Sequence, residues 1–175
     1  MLFRSLEIIA GLKGDQVEAF FQQQRQSVDQ LKNGLSQEAI SRLPEPESTN
    51  PDDSTPQESD MTLADQVYSV IDANPNFSNV YLLSPRGEIL YTTDDASQLQ
   101  PGEYFVNPDG KSTGQMLGND EYSFPYEKEG EHFILFGKAL QGGQSLLTEI
   151  KIDPVYQLLS DTTGLGKTGE IMLTS

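Results

Sequence analysis

The chain has 175 residues, enough for one domain with an appendage. Hydrophobic content is 35%, mean hydropathy −0.47 and net charge −16. That excess of acid excludes nucleic acid and anionic lipid as partners, since both need basic patches. There is no Cys, so disulfides and thiolate zinc sites are excluded, and the one His, His132, leaves a His-built metal site or triad without a second imidazole. No metal or cofactor is implied.

Residues 1–43 are charge-neutral and read as one long helix. Leu2, Leu6, Ile9, Val17, Phe20, Phe21, Val28, Leu31 and Leu35 recur at steps of mostly 3 or 4. Gly11 and Gly14 weaken it by ~1 kcal/mol each relative to Ala, and a break into two helices near Gly14 is the alternative. The expected role is a stalk whose apolar stripe meets a partner helix in a homodimer, with the rest of the helix packing on the domain. Residues 44–60, "PEPESTNPDDSTPQESD", carry six acids, four Pro and no aliphatic or aromatic side chain. Such a stretch buries no core and reads as an acidic, Pro-rich loop.

A module over residues 61–160 follows. Thr62 and Asp65 form a capping-box pattern, and Leu63, Val67, Val70 and Ile71 give a helix that ends before Pro75. The period then changes to that of strands. "NVYLLSPRGEILYTT" (residues 79–93) predicts two strands about a tight turn, with Pro85 at turn position i+1 and Gly87 at i+3. Residues 94–130 form a long Gly-, Asp-, Pro- and Tyr-rich excursion, and in a compact domain such a stretch suits a pocket lid. The paired acids Asp94-Asp95 and Asp52-Asp53 read as solvated turns. Residues 132–140 and 145–152 are strands joined by a Gly-Gly hairpin turn. Pro154, Val155, Leu158 and Leu159 mark a short helix.

Residues 161–175 hold a connector and the start of a following strand or second module. Here "TGLGKTGE" (residues 163–170) imitates a phosphate-binding loop. The imitation fails on mechanism. The first glycine of that motif would fall at Asp161, and the order is helix, loop, strand where a phosphate loop needs strand, loop, helix. No nucleophile–base pairing is visible either, so an enzyme is not expected. The fold class that results is α+β, a PAS-like antiparallel sheet of about five strands with a long N-terminal helix.

This order of elements, with "LEIIAGLKGDQVEAFFQQQRQSV", "NVYLLSPRGEILYTT" and "VYQLLSDTTGLGKTGEIMLTS", resembles the Cache family of extracytoplasmic sensor domains. The first string is similar to the helix that leaves a membrane span, the second to the first hairpin. The third is similar to the helix-to-strand connector that opens a second module in tandem members. The resemblance implies a ligand-sensing, non-enzymatic domain of a transmembrane receptor, foremost a histidine kinase of a two-component system. It implies a periplasmic or extracellular location, with membrane contact only through flanking segments. It also implies a small-molecule ligand on the sheet face beneath the excursion, with the signal leaving through the N-terminal helix and the C-terminal connector. The alternative is a ligand-free structural or dimerisation module of the same kind of receptor.

Candidate ligand-binding residues follow from strand alternation and from polar groups on the excursion: Tyr81, Tyr91, Tyr122, Tyr126, Phe136 and Lys138. Arg86, Lys111 or Lys138 are the candidates for holding a carboxylate. The aromatic/Arg/Asp constellation of the family's amino-acid binders has no counterpart, because Arg86, the only Arg after residue 42, lies in the wrong element.

Overall fold

The first helix, α1 (Leu2–Gly34), runs without interruption through Gly11 and Gly14, so the two-helix alternative is not what forms. At 1.5 Å per residue it extends about 50 Å. The computed structural model that shows it describes residues 2–35, 40, 62–94, 99–108 and 120–161. The acidic loop, residues 44–60, and "TGLGKTGE" lie outside the described residues, as does the strand expected after it.

The apolar stripe of α1 has a different use from the one expected of it. Val28, Leu31 and Leu35 are buried in the domain's own core, and Val17, Phe20 and Phe21 pack partly against it. From Val17 onward the stripe therefore meets the sheet rather than a partner helix. Each such side chain contributes roughly 1.5–3 kcal/mol by leaving water.

Helix α2 (Leu63–Ala73) begins at the anticipated capping box: the Thr62 hydroxyl accepts from the Asp65 amide at 3.2 Å, and the Asp65 carboxylate accepts from the Thr62 amide at 3.1 Å. Strands β1 (Phe77–Leu83) and β2 (Ile89–Thr92) form the first hairpin. Its turn closes through a bond from the Gly87 amide to the Ser84 carbonyl at 2.9 Å, and Gly87 sits at φ 86°, where a side chain would be strained. Strands β4 (Glu131–Ala139) and β5 (Ser145–Lys151) form the second, around Gln141–Gly143. Helix α3 (Asp153–Ser160) follows, with Pro154 in its first turn.

A fifth strand, β3 (Tyr126–Lys128), lies inside what reads as irregular sequence. It joins β4 through Glu129 and Gly130, both at positive φ (57° and 81°), the signature of a type I′ hairpin turn. The sheet is antiparallel in the order β2-β1-β5-β4-β3. Five strands were expected, but the fifth described one is β3 and not the segment near the C-terminus.

The helices cover one face. Val80, Leu82, Ile134, Phe136, Leu146 and Ile150 point into the core beneath them. On the outer face Tyr81, Leu83, Ile89, Leu135 and Leu147 form a second apolar cluster with Phe105, contributed by the excursion. Residues 99–108 dock along β2 through bonds from the Ile89 amide to the Glu103 carbonyl (2.7 Å) and from the Phe105 amide to the Gly87 carbonyl (3.0 Å).

Lys13 ties the helix layer together. Only 7% exposed, it donates from α1 to the Leu158 carbonyl (3.0 Å) and to the Asp161 carbonyl, at the C-terminus of α3. That is where the helix leaves acceptors unsatisfied and where its dipole favours a cation.

Candidate ligand site on the outer sheet face

The six candidate residues do not converge. Strand pleating sends them to opposite faces of the sheet. Tyr81 and Tyr126 belong to the outer face. Tyr91, Tyr122 and Phe136 pack into the core under the helices. Lys138, 9% exposed, lies on that same side, where it pairs with Asp29 of α1 and stands 3.6 Å from Asp120.

Around Tyr81 and Tyr126 the outer face carries a polar cluster. The Tyr81 hydroxyl donates to Asp94 Oδ2 at 2.8 Å. The Tyr126 hydroxyl donates to Glu149 Oε1 at 2.6 Å, and Asn79 Nδ2 donates to Glu149 Oε2 at 2.6 Å. Lys128 reaches both carboxylates: its Nζ lies 3.2 Å from Asp94 Oδ2 and 3.8 Å from Glu149 Oε2. The carboxylate side chains are 4% and 3% exposed, the Lys128 side chain 34%. Two buried carboxylates thus share one half-exposed ammonium. Buried carboxylates demand such pairing and hydrogen bonding.

Each member is held by an identifiable local device. Glu149 takes the outward position two residues after Leu147 on β5, opposite Asn79 and Leu135. Asp94 follows β2, where the Thr92 and Thr93 hydroxyls fix the backbone: the Asp94 amide donates to Thr92 Oγ1 (3.0 Å) and the Val80 amide to Thr93 Oγ1 (2.9 Å). The expectation that Asp94 is a solvated turn residue is therefore wrong; those hydroxyls extend the hairpin and bury it. Lys128 ends β3, just before the type I′ turn.

Burial, reinforced by the charge of Glu149, pushes the Tyr81 and Tyr126 phenols far above their ordinary range, so both remain donors. Tyr81 meets Phe105 edge-on at 4.9 Å, and Tyr126 stacks with Phe133 at 6.0 Å. Aromatic faces beside buried carboxylates suit a cationic group. Among the described residues no group of three His, Asp or Glu side chains is placed to hold a metal ion, and no helix is long and apolar enough to cross a membrane.

The fold that carries these residues is shared with a solved structure. The chain is similar to the ligand-binding domain of the Pseudomonas aeruginosa amino acid chemoreceptor PctC in complex with GABA, with a TM-score of 0.60 and 18% sequence identity. The chain shares that domain's fold, an α+β fold on a five-stranded antiparallel sheet, as the Cache resemblance implies. The match covers 92% of this chain and 66% of that one, so the chain spans about two thirds of its neighbour's length. No family model and no curated protein matches the sequence.

Of the residues in this cluster, the sequence singled out Tyr81 and Tyr126 as candidates and not Asn79, Asp94, Phe105, Lys128 or Glu149. Glu149 left a signal, an acid at a period-2 position among Leu146, Leu147 and Ile150. Lys128 left one too, as the last residue before a Glu-Gly pair that precedes a long apolar strand.

Proposed function

We propose that the chain is the extracytoplasmic ligand-sensing domain of a transmembrane signalling receptor, and that its ligand is a small molecule bearing an amine. The ammonium would lie on the outer sheet face against Asp94 and Glu149. The observation that carries this reading is the buried carboxylate pair sharing one partly exposed lysine. The neighbour's ligand, GABA, supports it, because GABA carries an ammonium group. A histidine kinase remains the favoured output and the excursion the favoured lid. Signalling is by population shift, limited by the ligand's differential affinity for the two states.

Dimerisation through α1 stays part of the proposal, but through its outward side. Leu12 (58% exposed), Gln16, Ala19 and Gln23 are the residues available there. Ala19→Arg then yields monomers in sedimentation, whereas an unchanged dimer would place the contact elsewhere.

A second reading has its own support. The apolar residues of the outer face are already buried, and Lys128 already occupies the carboxylates, as in a closed, ligand-free structural module. Thermal shift with butylamine, GABA and butyrate separates the two. Binding at 100 times Kd adds ~2.7 kcal/mol, several degrees in a domain of this size. The sensor reading expects a rise with butylamine and GABA, none with butyrate, and loss of the rise in Asp94→Asn and Glu149→Gln. No rise with either amine leaves the structural module standing.

A further inference from the structure

Tyr122 and Tyr126 are four residues apart, and in a regular strand they would share a face. They do not. Tyr122 pairs with Phe136, whose ring lies under the helices, while Tyr126 pairs with Phe133 on the outer face. Four steps along this segment thus match three steps along β4. The extra residue falls at Phe124-Pro125, and Ser123 is fixed before it by bonds to Leu135, its amide to the carbonyl and its hydroxyl from the amide, both 2.8 Å. This is a β-bulge, with proline where no ladder donor is needed.

The bulge gives one short strip of chain a hold on both sides of the sheet. On the outer side Tyr126 and Lys128 contact Glu149 and Asp94. On the helix side the Tyr122 hydroxyl donates to the Phe21 carbonyl of α1 at 3.2 Å, and its ring meets Phe21 at 5.3 Å. The Arg25 guanidinium of α1 lies 5.8 Å from the Tyr122 ring centroid.

We infer that residues 120–128 are the link that carries a change at the carboxylate site to helix α1, with Tyr122 as its contact on the helix. The inference rests on the proposed sensing role of that site. An incoming ammonium competes with Lys128 for Asp94 and Glu149. Release of Lys128 loosens β3, and the bulged strip passes that change to the α1 turn around Phe21 and Arg25.

The test needs no ligand in its first arm. Hydrogen exchange of the full chain is followed in α1 (residues 17–28) and, as a control, in α2. Lys128→Met should speed exchange in α1 by about fivefold, the effect of losing one ordinary hydrogen bond, and leave α2 unchanged. Adding Tyr122→Phe should abolish the response to Lys128→Met. If Lys128→Met does not fold, Tyr126→Phe carries the same test, since it removes one hydroxyl from the site. No change in α1, equal change in α2, or a response that survives Tyr122→Phe overturns the inference. A second arm adds GABA to the wild-type chain. Binding without an α1 response sinks the link alone; an intact Lys128→Met response without GABA or butylamine binding sinks the amine reading alone.

Discussion

Lys13 is a long cation with almost no access to water, and its position is set by the carbonyl ends of α3. Replacing it with Met keeps the aliphatic stem and leaves those carbonyls without their donor. Hydrogen bonds from charged groups contribute roughly 1.5–3 kcal/mol, so Lys13→Met should lower the melting midpoint by several degrees and fray α3 first, as exchange at residues 158–161 would report. Two carboxyls set the acid limb. The Thr62 hydroxyl holds Asp65 below its ordinary value of 3.8, and the His132 imidazole, 3.1 Å away, does the same for Asp153. Because both folded-state values are depressed, their stabilisation is present above pH 3.8 and fades as pH falls through the lower folded values. Asp153→Asn should flatten the midpoint–pH curve in that acid window, as thermal melts across it would report. Residues like these differ in legibility. The capping box was readable because its partners are three apart. Asp94, Glu149 and Lys128 were not, because they meet only after strands distant in sequence pair.

Among elements, α1 was legible as a helix from its period, but its partner was not. A stripe at 3.6-residue spacing states that something apolar covers it, without saying whether that is the chain's own sheet or another molecule. The core position of Leu31 decides the question. Leu31→Ala should cost about 2–5 kcal/mol, and Leu31→Glu should unfold the domain instead of dissociating a dimer, which circular dichroism would distinguish from sedimentation effects alone. Gly14 gives the opposite case. It is helical and nothing lies within 4 Å of where a Cβ would stand, so Gly14→Ala should stabilise by about 1 kcal/mol. Both long hairpins were readable from their turns. The short β3 was not, since three residues carry no period, and its turn uses Glu129 where Asn or Asp is the usual signal.

For the molecule as a whole, the sixteen-unit charge excess is distributed over a sheet domain and an acidic loop, while residues 1–43 are neutral. Self-repulsion of that kind destabilises the compact state and is screened by salt. The melting midpoint should therefore rise from low salt to 0.5 M sodium chloride, on the order of the salt range over which screening becomes short; a fall would show that ion pairs such as Lys128–Asp94 outweigh the repulsion. Cache-type architecture was legible from element order, because helix, hairpin, excursion, hairpin and helix constrain the topology strongly. The faces on which tyrosines fall were not, because a single inserted residue can exchange them.

That inserted residue at Phe124-Pro125 makes the edge segment one residue longer than its pairing with β4 requires, and tolerant of identity there. Phe124 is 61% exposed, so a polar residue there changes little. Removing it leaves three steps against the three of β4, so a regular strand would keep Tyr122 opposite Phe136 and Tyr126 opposite Phe133, each still on its own face. Two edits of different apparent severity, a polar substitution and a one-residue deletion at Phe124, would thus share one consequence: both keep Tyr126 on Glu149 and Tyr122 on Phe21.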